Sequence, residues 1–557
     1  MNQNSKNINK RWWKESVVYQ IYPRSFNDTN NDGVGDIPGV IEKLDYIQSL
    51  GIDIIWMCPV YQSPNDDNGY DISDYRNIME EFGTMDDFDK LLSGVHERGM
   101  KLIMDLVANH SSDEHNWFEE SRKSKDNPYR DYYFWKPGKN GGPPTNWPAF
   151  FGGNSWEYDE QTGEYYLHLF TKKQPDLNWE NPKVRQEIQD IIRFWFEKGV
   201  DGFRMDVISL ISKQLDFPEP DTQNLGDVIG KYYANGPRIH EFLNEMNKEV
   251  LSKYDIMTVG EGPGINLDNG PLYVAEDRQE LDMIFHFDHM FIDNGPGGKY
   301  DNPHRYDFIK FKKVFSDWDG RLANNGWGSI FLGNHDFSRI VSRFGNDKEF
   351  HTQSAKLLAT MLLSMRGTPY VYQGDEVGMT NVAFPSIDDY HDVETLGNWK
   401  EAKDAGEDMD AFMKKVHQQS RDNARTPIQW NNELNGGFSD ARPWLKVNPN
   451  YENINVASQE NDTDSILNFY RQMIQFRKDH QTLVYGDFED LTPNHPDLYV
   501  YRRWDEDHTY LVLLNFSENE HTYDAVDGKA DLLIGNYTDK EDTFFLRPWE
   551  SKVFQLS

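Results

Sequence analysis

The stretch KVRQEIQDIIRFWFEKGVDGFRMDV, residues 183–207, contains the alternation from which the fold follows. Over 183–198 apolar residues return at helical spacing, with Val184, Ile188, Ile191, Ile192 and Trp195 on one face. Gly199 sits where a left-handed cap ends such a helix. The run 200–207 then reads as a buried strand with a carboxylate, Asp206, at its carboxyl end. Outward in both directions the rhythm recurs. Strands are predicted at 16–23, 52–59, 100–107, 200–207, 256–261, 283–289, 329–336 and 369–376. Amphipathic helices are predicted at 40–50 before Gly51 and at 86–98 before Gly99, the latter opened by a capping-box pair, Thr84 and Asp87. Eight parallel strands close a (β/α)8 TIM barrel, an α/β fold.

Two departures divide the chain. Residues 111–178 are rich in Gly, Pro, Asn and aromatics (KNGGPPTNWPAFFGGNSWEYDE) and too long for an ordinary βα loop. They are expected to form an excursion domain after the third strand, with the barrel in two parts, 1–110 and 179–485. A second polar insertion is expected at about 377–441. From 486 to 557 short alternating runs, YVYRRW, TYLVLLNF, DLLIGNY and ESKVFQL, predict an antiparallel C-terminal β-domain. No repeat of fixed period is present.

The formal charge is −36, which opposes binding to nucleic acid; its plainest reading is solubility. Cys58 is the single cysteine, so no intramolecular disulfide or cysteine-built zinc site can form. No apolar run approaches the roughly 18 residues that span a membrane, and the N-terminus lacks a leader-like apolar core. A soluble cytoplasmic protein is predicted.

Chemistry gathers at the strand ends, in DLVANH (105–110), GFRMDV (202–207), VGE (259–261) and NHD (334–336). Asp206, Glu261 and Asp336 are the carboxylates that glycosidic cleavage needs: one ionised beneath the sugar, one protonated beside the leaving oxygen, one gripping the ring. Arg204 leaves the same strand face as Asp206 and is expected to lower its pKa, making Asp206 the nucleophile. Glu261 beside that charge is expected to keep its proton and act as acid, then base. An isolated Arg-x-Asp is ordinarily a surface ion pair, and a lone strand-end histidine a core residue. Here His110 and His335 accompany carboxylates at the predicted rim, and no HExxH-like spacing links them into a zinc site. Near the N-terminus, DTNNDGVGD sets Asp28, Asn30, Asp32 and Asp36 at alternate positions with the Val34 carbonyl among them, an oxygen pattern suited to Ca²⁺. Gly39 stands where an EF-hand would have its glutamate, and such loops are also common without metal.

From about Trp12 onward these motifs together resemble the α-amylase-type glycoside hydrolases, glycoside hydrolase family 13, in the oligo-1,6-glucosidase and α-glucosidase branch. The resemblance implies a retaining mechanism with Asp206 as nucleophile, Glu261 as acid/base and Asp336 as transition-state stabiliser. It also implies a glucose pocket shaped by Tyr70 as stacking platform, Asp71, His110, Arg204 and His335. Arg421, in RDNARTPIQW, is expected to reach the same pocket, and Phe170, before QPDLNW (174–179), to wall it. Val207 is the residue that α-1,6-acting members tend to carry beside the nucleophile. A structural Ca²⁺ or Mg²⁺ is implied for the 28–36 loop, and no organic cofactor. Gly262-Pro263 after the acid and Phe337-Ser338 after Asp336 depart from the usual pattern on the leaving-sugar side.

The expected protein is an exo-acting α-glucosidase on small α-glucosides, α-1,6 links favoured, as monomer or dimer. The alternatives are a trehalose-6-phosphate hydrolase, which needs a basic cluster not found in the sequence, and a sucrose isomerase or transglucosidase, whose Arg-Leu-Asp-Arg-Asp loop is not apparent. Non-catalytic transporter-subunit relatives lack the catalytic carboxylates and carry an anchor, the reverse of this chain.

Overall fold

The computed structural model describes residues 9–296, 298–524, 529–539 and 543–557. Eight strands, β1 (Val18–Ile21), β2 (Ile54–Met57), β3 (Lys101–Val107), β4 (Gly202–Asp206), β5 (Met257–Glu261), β6 (Met283–Phe285), β7 (Ser329–Ile330) and β8 (Thr368–Tyr372), form one sheet in the order β6-β5-β4-β3-β2-β1-β8-β7. Every pairing is parallel. The two ends of this sheet meet where Ser329 Oγ donates to the Ile284 carbonyl at 2.7 Å, closing the barrel. Strands β1, β2, β4, β5 and β8 are buried at every position, as expected of strands covered by helices outside and packed side chains inside.

Two strands are much shorter than their apolar runs. Strand β7 stops at Ile330, because the following residues leave the ladder and Asn334 Oδ1 takes the Asp336 N–H at 2.8 Å in a tight turn. Strand β6 stops at Phe285 before the turn in which Met290 N–H bonds the Phe287 carbonyl. Asp336 is therefore carried on a loop, six residues past its strand. The helix expected at 40–50 is two, α1 (Ile37–Glu42) and α2 (Leu44–Ser49), interrupted at Lys43. Helix α3 (Met85–Glu97) has the Thr84–Asp87 capping box, and α4 (Pro182–Lys198) ends on Gly199 at φ 110°.

Between β3 and α4 a three-stranded antiparallel sheet (Trp135–Lys136, Glu164–Leu167, Trp156–Asp159) packs Phe134, Trp147 and Trp156 against Phe217 and Tyr233 from the loop after β4. After β8, helix α5 (Val393–Asp404) crosses toward it. Gly153 N–H bonds Glu401 Oε1 at 3.2 Å, and a Cβ on Gly397 would stand 2.6 Å from the Phe151 carbonyl oxygen, so the two insertions touch over the barrel mouth. Beyond the barrel, Asp487–Asp490, Leu498–Trp504, Thr509–Asn515, Ser551–Leu556 and Ala530–Gly535 make a five-stranded antiparallel sheet. Among the described residues no helix is long and apolar enough to cross a membrane.

Candidate active site

Register aligns the first cluster. Asp105 on β3 pairs with Arg204 on β4, and Arg204 with Val259 on β5. The buried Arg204 guanidinium thus meets three carboxylates: Asp105 at 2.5 Å, Asp206 at 2.8 Å and Glu261 at 2.6 Å. Val207 follows in the left-handed region (φ 35°, ψ 40°), uncommon for a β-branched residue, and its N–H donates to Glu261 Oε2 at 3.0 Å. Arg204 was expected to lower the Asp206 pKa. The structure reverses that direction: burial, and then the nearby charges of Glu261 and Asp105, outweigh the guanidinium and push Asp206 well above the usual carboxylate range. Asp206 and Glu261 thus stand on either side of one guanidinium, which pairs with both carboxylates. Asp105, buried and also on Arg204, is raised to about 6.

Asp336 lies in the opposite field. Its Oδ1 accepts from Arg425 Nη2 at 2.8 Å and Arg421 Nη1 at 3.2 Å, and its Oδ2 is 3.2 Å from His335 Nε2. Gln20 Nε2 donates to His335 Nδ1 at 2.8 Å, which leaves the ring proton on Nε2, facing Asp336. Burial works against ionisation of Asp336, yet His335, Arg421, Arg425 and Arg204 together hold it well below the usual range. Burial lowers His335 itself to about 3, so it is a neutral donor.

A cavity of about 900 Å³ opens over these groups and is lined by Asp206, Glu261 and Asp336 together. Of the other residues expected in it, Tyr70, His110, Phe170, Val207 and Arg421 line it. Arg204 and His335 stand behind the wall, each 1% exposed, and act by holding Asp206, Glu261, Asp336 and the Tyr70 ring, which stacks on His335 at 5.3 Å and 4°. Asp71 is not in the wall. It is fully buried, its carboxylate consumed by Ser63 Oγ and the N–H groups of Asp66 and Asp67, and it shapes the loop that presents Asp67. Asp67 takes the place expected of Asp71, with Arg421 Nη2 at 3.3 Å and Gln174 Nε2 at 3.3 Å. Asp71 is the acid next to Tyr70 in sequence; Asp67, four positions earlier, reaches the cavity because the loop turns through Asn68 and Gly69, both at positive φ. Gln174, Arg425 and Gln20 were also missed. Gln174 lay in a motif already singled out, whereas Gln20 is one buried strand residue with no sequence signal.

Residues 20–486 match the family model "Alpha amylase, catalytic domain". The chain belongs to the α-amylase family of glycoside hydrolases. The C-terminal sheet, residues 497–556, matches the model "Beta-galactosidase C-terminal domain". An oligo-1,6-glucosidase of Parageobacillus thermoglucosidasius is 55% identical over 98% of this chain and 99% of that protein. Among solved structures, a trehalose-6-phosphate hydrolase of Bacillus licheniformis superposes with TM-score 0.94 at 47% identity, covering 98% of this chain and 100% of that one. An isomaltulose synthase of Erwinia rhapontici bound to D-glucose gives 0.96 at 46%, covering 99% and 100%.

In this glycoside hydrolase the 28–36 loop is held by its own backbone. Asp28 accepts from the N–H groups of Asn30, Asn31 and Gly33 and from Ser439 Oγ; Asp32 accepts from Val34 N–H; Asp36 accepts from Thr29 and caps α1 through Gly39 N–H. The donors are hard oxygens, the chemistry Ca²⁺ or Mg²⁺ requires. Among the described residues no three acidic, histidine or cysteine side chains converge as a metal site, so the Asn30 amide and the Val34 carbonyl would have to join the acids to hold an ion here.

Proposed function

We propose that this glycoside hydrolase is a retaining, exo-acting α-glucosidase that releases terminal glucose from short α-glucosides, with α-1,6 links favoured. The observation that carries it is the convergence of Asp206, Glu261 and Asp336 on one cavity bridged on one side by the contact of residues 151–153 with α5. A cleft so bridged admits a chain end more readily than a chain interior.

Glucose enters against Tyr70, with Asp67, His110 and Arg421 in reach of its hydroxyls. The glycosidic oxygen enters between Asp206 and Glu261, with Glu261 in the role of proton donor. Asp206 Oδ attacks the anomeric carbon as the C–O bond breaks and Glu261 protonates the leaving oxygen. Glu261 then takes a proton from water, whose oxygen displaces Asp206 and restores the starting anomer. Asp336, ionised at every working pH, stabilises the positive charge that develops on the ring.

Val207 in the wall and the relatives named as oligo-1,6-glucosidases support the linkage. Against a phosphorylated substrate stands the lining: Asp67, Asp206, Glu261, Asp288, Asp301, Asp336, Glu394, Glu401 and Glu407 face three bases, each with an acidic partner, Lys299 with Glu394, Lys415 with Glu407 and Arg421 with Asp392. The test is kcat/KM on isomaltose, maltose, sucrose and trehalose 6-phosphate, with the anomer of the first-released glucose read by NMR. Isomaltose should lead and α-glucose appear first; a large advantage for the phosphorylated sugar, or β-glucose first, overturns the reading. A cytoplasmic location is supported by Cys58, buried and unpaired, and is checked by cell fractionation. A structural Ca²⁺ or Mg²⁺ on Asp28, Asn30, Asp32, the Val34 carbonyl and Asp36 is part of the same proposal, supported by the oxygen donor set.

A further inference from the structure

We infer that Phe291, braced by Phe287 and Phe337, is the platform on which the leaving sugar ring lies, so that the enzyme selects its leaving group by the apolar face of a neutral ring. The inference rests on the α-glucosidase reading above. The cavity has two unlike halves. Asp67, Tyr70, His110, Gln174 and Arg421 form one, and most of their polar atoms already have fixed partners. Ile229, Pro263, Ile265, Phe287, Phe291 and Phe337 form much of the other, and their side chains are hydrocarbon.

Phe291 is 51% exposed, an unusual state for so large an apolar side chain, and that exposure opens into the cavity. Its ring stacks on Phe287 at 5.5 Å and 28° and stands 6.0 Å from Phe337, which is itself 6.0 Å from Phe287. Phe337 is gripped from outside the cluster by the Lys299 ammonium and the Arg343 guanidinium, at 5.5 Å and 5.3 Å from its centroid. Two rings are thus fixed and the third lies over them with one side bare. Position supports the role. Phe337 adjoins Asp336 in sequence, and Pro263 lies two residues after Glu261, so the apolar half begins where the protonated glycosidic oxygen must leave. A pyranose presents C–H groups on one face, which an aromatic ring covers at little entropic cost because it rotates about only two bonds.

The test compares isomaltose with α-D-glucosyl fluoride, whose leaving fluoride is too small to touch the platform. In Phe291→Ala the ratio of kcat/KM for isomaltose to that for the fluoride should fall about tenfold, the upper end of what one aromatic contact contributes. Phe291→Trp should restore most of it, and melting curves of both variants check that the fold is kept. A ratio unchanged in Phe291→Ala overturns the platform. Failure of the wild-type enzyme to turn over the fluoride instead overturns the α-glucosidase reading, so the two failures are distinct.

Discussion

Two guanidinium clusters organise this active site, and they treat their carboxylates in opposite ways. Arg204, under β4 and β5, serves Asp105, Asp206 and Glu261 alone, and burial prevails: Asp206 and Asp105 are both driven up. On the β7–β8 side Arg421 and Arg425 both reach Asp336, His335 donates to it, and Asp336 is driven down. Asp336 is also the more exposed, its side chain 25% accessible against 9% for Asp206 and 0% for Asp105, so more donors and less burial together keep it charged. A retaining glycosidase needs both outcomes, a proton to lend at one place and a permanent charge at the other.

The largest effect should come from breaking the first cluster. Asp206→Asn removes the nucleophile and should lower kcat by on the order of 10⁴-fold or more, as loss of a covalent nucleophile does elsewhere, with an unchanged far-ultraviolet spectrum. Activity within tenfold of wild type would remove Asp206 from that role. Glu261→Gln isolates the acid role in the first step: kcat/KM for isomaltose should drop by about 10²–10⁴-fold, the usual worth of general acid catalysis, and kcat/KM for glucosyl fluoride, whose fluoride leaves without a proton, by much less. Equal losses on both substrates would contradict the acid assignment.

In the second cluster Asp336→Asn should cost about 10²–10³-fold in kcat, the scale of one preorganised electrostatic contact. It leaves Arg421 and Arg425 facing the ring without their counter-charge. Asp67 sharpens the comparison because it touches the same Arg421 yet is raised to about 6, burial exceeding the pull of Arg421 and Arg425. Below that pH it is protonated, loses its pairing with Arg421 and no longer accepts from a sugar hydroxyl. Asp67→Asn should therefore lower kcat/KM about 10–100-fold at neutral pH, the worth of a charge-assisted hydrogen bond, and flatten the part of the acid limb centred near pH 6. The stability sign is the reverse. An acid raised in the fold adds stability that is full below its unfolded pKa, near 3.8, and lost as pH rises through about 6. Asp67→Asn should accordingly raise the melting temperature more at pH 8 than at pH 4.

The barrel was legible because its signal is periodic: 183–207 states one βα unit, and seven further apolar runs repeat it. The three carboxylates proposed as catalytic were legible because each stands in a short motif that closes an apolar run, although Asp336 proves to lie on the loop beyond its strand. What escaped depends on contacts between distant segments. The Asp206 direction could not be read from Arg204-x-Asp206, since Asp105 and Glu261 claim the same guanidinium from neighbouring strands. Asp67 was passed over for Asp71 because the turn through Asn68 and Gly69, which decides which of them faces the sugar, leaves both acids equally polar in sequence.

The 28–36 loop is a third case, and the one with the smallest expected effect. Asp28, Asp32 and Asp36 lie close in sequence, and among the described residues no ammonium or guanidinium pairs with any of them; backbone N–H groups, hydroxyls and the Asn30 side-chain amide hold them. Burial raises Asp36 despite the hydrogen bonds it accepts from Thr29 and Gly39. On the proposal above, a divalent ion would supply the charge that Arg204 and Arg421 supply in the active site. Millimolar Ca²⁺ should then raise the melting temperature by a few degrees over EDTA-treated protein, a binding term of about 2.7 kcal/mol at a hundredfold excess over Kd, with little change in kcat at 25 °C because the loop lines no part of the cavity. Asp32→Ala should abolish the Ca²⁺ response. A melting temperature indifferent to EDTA in the wild type would mean that the loop's own hydrogen bonds suffice, and that only buried carboxylates at the barrel mouth require a counter-charge.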